Sequence, residues 1–205
     1  MQGPDDTLIP ALDLANDFTV AVWIKVDTRG DDVIWSIKQN NDNRVGLVIG
    51  DNGEIGQMHY DNRDGQSDYT RQLAATGTIS PNTWYRVVCV WIGVGTTTSG
   101  TSTVSNMSFY INGVAPTVTD SNIWGGGSEL GSALDSLLIG AQGSPKVAFF
   151  AGKMSDFQVW DGAWTQSDVT HDYLNPESLV LNNEGTSLTE SNLKIWYPMQ
   201  DGHRG

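Results

Sequence analysis

The sequence lacks most of the features that mark an enzyme, a membrane protein or a disulfide-stapled domain. One cysteine, Cys89, stands among 205 residues, so no internal disulfide can form and nothing depends on an oxidising compartment. It lies in the apolar run VVCVW with no histidine or basic residue beside it to lower its pKa, and it reads as a small core residue rather than a nucleophile. Basic residues are scarce: 11 Lys and Arg against 24 Asp and Glu give a formal charge of −13. Such a charge repels phosphate backbones and anionic membrane surfaces, which argues against nucleic acid as a partner. The longest apolar run, residues 87–92, is far short of the ~20 residues a membrane helix needs. The opening MQGPDDTLIP lacks the basic, then apolar, order of a signal peptide. His59, His171 and His203 are far apart in sequence, with no His-x-x-x-His pair for catalytic zinc, and no Gly-x-Ser-x-Gly elbow presents a serine. Glu54, Glu129, Glu177, Glu184 and Glu190 are the only glutamates, and each sits in a turn- or loop-like context.

What remains is an all-β pattern. Strand-like runs alternate with turn signals at short intervals, and the length suits one large sandwich able to bury a two-sheet core. The hairpin signal is strongest at Asp51-Asn52-Gly53, where Asn and Gly accept the positive φ of a tight turn. Along its second arm Gln57, His59 and Asp61 share one face and Met58 and Tyr60 the other, so the polar set is expected to meet solvent. In AGKMSDFQVWDGAWTQSDVTHDYL, residues 151–174, Phe157 and Val159 alternate with Asp156, Gln158 and Trp160. Thr165 then precedes Asp168 by three residues, a capping-box start for a helix over 166–174. Residues 93–106 and 120–132 have loop composition, as does the polar connector 182–192.

The order of these segments resembles the laminin-G-like and pentraxin-like branch of the concanavalin A-like jelly rolls. DFTVAVWIKV (17–26) is similar to the family's early strand. TWYRVVCVWIG (83–93) and MSFYINGV (107–114) resemble its central pair, and LLIGAQ (137–142) and LKIWYPM (193–199) its Ile-Gly and Trp-Pro strands. The resemblance implies a single two-sheet antiparallel jelly-roll sandwich over residues 1–205 with one short helix near the C terminus. With Met1-Gln2-Gly3 entering the fold at once and Asp201-Gly202-His203 trailing from it, the domain is read as part of a larger protein. The Glu-x-Asp-x-x-Glu strand of retaining glucanases on this fold, which sets two carboxylates about 5 Å apart, has no counterpart. Gln57-Met58-His59-Tyr60 resembles the Gln-x-His strand of alginate lyases, but their arginine-rich and Tyr-Phe-Lys strands are missing.

The same resemblance implies two places for calcium, whose hard oxygen ligands this Asp- and Asn-rich chain could supply. Asp156 matches the aspartate of a structural calcium site on the last long strand. Asp42-Asn43 resembles the first half of the pentraxin double-calcium site, whose acidic second half is replaced by GAQGSPKVAFF. The pentraxin disulfide is also absent. Among the 8 Trp and 6 Tyr, Trp84, Trp91, Trp164 and Trp196 are expected in the core. Trp124, preceded by Asn122 and followed by three glycines, is expected on a loop as a stacking platform for sugar. His59, Asp61, Arg63 and Tyr69, together with Gln57, form the neighbouring hydrogen-bonding cluster. The function expected is therefore a non-catalytic module for a carbohydrate or glycosylated surface, extracellular or at a cell or virion surface. Its alternatives are an assembly domain making only protein contacts and, remotely, a polysaccharide-cleaving enzyme.

Overall fold

The computed structural model describes residues 2–5, 16–40, 43–61, 68–93, 106–124, 136–142, 147–176, 180, 186 and 188–199; at strand positions 2–5, 38–40, 43, 61, 68–69 and 122–124 it describes the backbone alone. Twelve strands and one α-helix occur among these residues: β1 Gln2–Asp5, β2 Phe18–Val26, β3 Asp32–Asn40, β4 Asn43–Ile49, β5 Ile55–Asp61, β6 Asp68–Ala74, β7 Trp84–Trp91, β8 Met107–Ile111, β9 Val118–Trp124, β10 Ser136–Ile139, β11 Gly152–Asp161, α1 Gln166–Leu174 and β12 Leu193–Tyr197. They form a seven-stranded sheet, β1-β10-β3-β4-β5-β6-β9, facing a five-stranded sheet, β12-β11-β2-β7-β8. Every named strand pair is antiparallel. This is the two-sheet antiparallel jelly-roll sandwich that the family resemblance implies.

Alternation places the core. Phe18, Val20, Val22 and Ile24 of β2, Val87, Cys89 and Trp91 of β7, and Phe157 and Val159 of β11 meet Ile37, Val45, Leu47, Ile49 and Ile55 from the other sheet. The β4–β5 hairpin turns where Asp51-Asn52-Gly53 predicts, with Gly53 at φ 78°. Helix α1 begins at the predicted capping box: Asp168 N–H donates to Thr165 Oγ1, and Thr165 N–H donates to Asp168 Oδ2 at 2.8 Å.

A second, smaller core lies outside the five-stranded sheet, where Ala21, Val88, Val90, Trp160, Trp164 and Val169 are buried together. The helix therefore covers the face of β11 that the sequence alone marks as the polar one, and Asp156, Gln158 and Trp160 are all buried there. The expected core set of tryptophans needs two corrections. Trp91 and Trp164 are buried, but Trp84, which shares the outward phase of Arg86 and Val88 on β7, is 42% exposed, and Trp196 on β12 is half-buried and belongs to neither core.

Candidate functional site

With the outer face of the five-stranded sheet occupied by α1, the outer face of the seven-stranded sheet carries a concavity. Three rows of register partners cross it: Val48, Gly56, Leu73 and Asp120; Gly46, Met58, Arg71 and Asn122; Arg44, Tyr60, Tyr69 and Trp124. The residues alternating with them on β4 and β5, namely Val45, Leu47, Ile55, Gln57 and His59, are buried between the sheets, so Arg44, Val48, Met58 and Tyr60 face outward by the two-residue period of a strand. At Gly46 and Gly56 no side chain stands up from this face. A β-carbon at Gly56 would lie 1.9 Å from the Gln72 carbonyl and 2.7 Å from Leu73 Cδ2, and one at Gly46 would lie 2.5 Å from the Trp35 carbonyl.

Beside them lies a cavity of about 620 Å³ whose lining includes Val48, Met58 and Leu73 from the sheet and Asp31, Asp32, Asp51, Asn52, Glu54, Arg71, Thr76, Asp120 and Gln142 around them. That volume falls within the roughly 300–1,000 Å³ of small-ligand sites. Arg71 Nη2 and Asp120 Oδ2 form an ion pair across β6 and β9, each side chain about one-third exposed. Glu54 is fixed at the other side: Thr76 Oγ1 donates to its Oε1 at 2.9 Å and Asn52 N–H to its Oε2 at 3.2 Å. Hydrogen bonding from its own backbone, then from Thr76, holds the Glu54 carboxyl below its ordinary range. Asp32 Oδ2 accepts from the Ala151 N–H at 3.1 Å. Five carboxylates and one guanidinium thus line a partly apolar hollow. It offers hydrogen bonds in several directions and a potential that disfavours anions.

The structure brings several predicted residues onto neighbouring strands but reverses two of them. Across β5, β6 and β9, His59 pairs with Thr70 and Thr70 with Ile123, while Tyr69 pairs with Trp124. The His59 strand and the Trp124 strand are therefore two steps apart, about 10 Å. Yet Gln57 and His59 are completely buried, and the His59 ring stands edge-on to Trp91 at 5.7 Å. The reason is phase: both follow Ile55, which belongs to the core. The outward positions are Met58 and Tyr60, and the Arg44 guanidinium lies 4.1 Å from the Tyr60 ring centre. Trp124 ends a strand rather than sitting on a loop. Asn122 pairs with Arg71, Asp61 with Asn43 and Asp68. Arg63 and Asp42 lie outside the described residues.

Asp156 has a different environment from the one a calcium ligand needs. It occupies a bulge in β11 at φ 49°, where the register to β2 shifts. The bulge aims its carboxylate at three donors: Trp196 Nε1 to Oδ1 at 2.8 Å, Gln158 Nε2 to Oδ2 at 2.8 Å, and Arg86 Nη1 to Oδ2 at 3.1 Å. Arg86 also donates from Nη1 to the Asp156 carbonyl at 2.9 Å, and grips Asp172 of α1 from Nε at 2.7 Å and Nη2 at 2.9 Å. Burial pushes the Asp172 carboxyl up, while the Arg86 guanidinium pulls it back. Both Asp156 oxygens are engaged and a guanidinium already neutralises them, so these residues do not fit a calcium ion. Among the described residues, no group of three or more His, Cys, Asp and Glu could hold a metal. The network, whose central Arg86 sequence reading missed, is a structural tie between α1, β7 and β11.

Comparison with known proteins agrees with this architecture. The chain is similar to the heptameric SAP-like pentraxin of Limulus polyphemus (22% identity, TM-score 0.54, covering 78% of this chain and 70% of the pentraxin). It is also similar to the CBM40 domain of the Ruminococcus gnavus IT-sialidase, solved with α2,3-sialyllactose (13% identity, TM-score 0.51, covering 76% and 82%). A third similar structure is tailspike protein 2 of an Escherichia coli O157:H7 bacteriophage (12% identity, TM-score 0.58), where the match spans 91% of this chain and 24% of the tailspike. No curated protein matches the sequence. Residues 3–170 match the profile of one family, and with two antiparallel sheets in jelly-roll arrangement behind that match, the chain belongs to the concanavalin A-like lectin/glucanases superfamily.

Proposed function

We propose that this domain is a non-catalytic module that binds uncharged glycans in the cavity on the outer face of its seven-stranded sheet. The observation that carries the reading is the cavity itself, with Val48, Met58 and Leu73 facing a ring of hydrogen-bonding groups that includes the Arg71–Asp120 pair, Glu54 and Asn52. A sugar presents an apolar C–H face and a rim of hydroxyls, which such a surface complements. The excess of carboxylates opposes sialic and uronic acids. Two of the same carboxylates are poorly suited to act as a general acid, which needs a raised pKa: Glu54 is held low and Asp120 is tied to Arg71. The kinship with a carbohydrate-binding domain supports the reading at the level of the fold.

The test is an array of neutral and acidic oligosaccharides, followed by calorimetry on any that bind. Neutral glycans should bind weakly, with Kd on the order of millimolar, and α2,3-sialyllactose should not bind. Loss of charged hydrogen bonds worth about 1.5–3 kcal/mol means that Arg71→Ala should weaken binding about tenfold or more. Folded protein that binds nothing on the array would replace this reading with that of an assembly domain.

A further inference from the structure

We propose that Phe149 is a second stacking platform, so that the site takes a neutral oligosaccharide rather than a single sugar; this rests on the glycan-binding reading above. Phe149 is 62% exposed, the least covered aromatic ring among the described residues. It is held in place. Ala148 before it adopts a left-handed φ of 51°, a conformation that a residue with a β-carbon takes only when its surroundings impose it. Those surroundings are the cavity rim. The Val33 N–H donates to the Ala148 carbonyl at 3.0 Å, Gln142 and Val147 exchange backbone hydrogen bonds at 2.8 and 3.0 Å, and the Ala151 N–H reaches the Asp32 carboxylate. Val33, Gln142 and Asp32 all line the cavity.

The segment carrying Phe149 is therefore stitched to the wall of the hollow on both sides of the ring, and the ring is turned to water. Apolar side chains gain from burial, and a flexible segment would let this one fold back; the left-handed residue and the rim hydrogen bonds oppose that. A ring fixed at the edge of a polar hollow is suited to stack the C–H face of a sugar, here one at the far end of the oligosaccharide from the residue seated against Arg71 and Asp120, because Phe149 bridges Val33 on β3 and β6 lies three strands, about 14 Å, beyond β3. No step in this arrangement requires a metal or a charged ligand.

The experiment compares Kd for cellotriose, maltotriose and arabinotriose with Kd for glucose and arabinose, by calorimetry on wild type, Phe149→Ala and Phe149→Trp, with melting temperatures as the control for folding. The expected result is a trisaccharide that wild type binds at least tenfold more tightly than its monosaccharide. Phe149→Ala should abolish that advantage while leaving monosaccharide binding and melting temperature unchanged, and Phe149→Trp should retain or strengthen it. If a trisaccharide binds in an Arg71-dependent way but Phe149→Ala binds it as well as wild type, the platform is refuted and the cavity reading stands. If wild type binds none of the five probes, the platform and the cavity reading fall together.

Discussion

Replacing Arg86 by methionine tests the account of what holds the helix face to the sandwich. Arg86, Asp172 and Asp156 are 1%, 1% and 3% exposed, so the substitution leaves two carboxylates inside the protein without their cation. Removing one partner of such a pair costs about 3–5 kcal/mol, a large share of the roughly 5–15 kcal/mol that keeps a domain folded. At about 2–4 °C per kcal/mol for a chain of this length, the melting temperature should fall by about 6–20 °C. The deficit should also depend on pH. Burial already raises the Asp172 carboxyl, and without Arg86 it rises further above the unfolded value of about 3.9. A carboxyl whose folded pKa is raised stabilises the fold when protonated, and that contribution is lost as pH rises through the folded pKa. The gap between variant and wild type should therefore be widest near pH 7.5 and shrink towards pH 4.5. Urea unfolding followed by tryptophan fluorescence measures it. Asp172→Asn in the variant background should recover part of the loss at pH 7.5. A variant within about 1 kcal/mol of wild type, or a deficit equal at both pH values, would refute the reasoning.

Two further outcomes follow from local geometry. Thr165→Ala removes the oxygen that caps α1 and one half of its capping box, so it should cost about 1 kcal/mol, read in the same urea titration. Cys89 is buried with its thiol pushed well above the ordinary range by desolvation. Ellman's reagent at pH 8 should leave it unmodified in the native protein and label it only at the rate of global unfolding, and rapid native labelling would contradict its place in the core.

Strands and helix are legible in the sequence because their signals are local. DFTVAVWIKV carries its own alternation, and Thr165 and Asp168 declare the helix start within one turn. The polar positions are harder to read, because their fate depends on what lies across the sandwich. In IGQMHYD, Gln57 and His59 look like a solvent-facing set, yet they share the phase of Ile55, and Trp91 on the opposite sheet receives the histidine edge. In TWYRVVCVW, Arg86 carries no local sign of burial; its partners, Asp156 and Asp172, lie 70 and 86 residues away. Trp124 reads as loop because three glycines follow it, while its pairing with Tyr69 makes it the end of a strand. The cavity was least legible of all, since Asp32, Glu54, Arg71 and Asp120 converge from four separate segments and share no motif.

The bare backbone at Gly46 and Gly56 constrains how this surface can change. Those positions are glycine because a β-carbon would strike the neighbouring strands, at Trp35 and at Gln72, a demand of sheet packing that exists whether or not anything is bound. The absence of side chains at these two positions is thus a by-product of strand contact, fixed before any ligand enters the question. Mutation cannot easily fill them. Variation in what the face recognises is left to the side chains that stand around it, Arg71, Asp120, Glu54 and the 147–151 rim. Selection can rewrite those one at a time without disturbing the sandwich beneath.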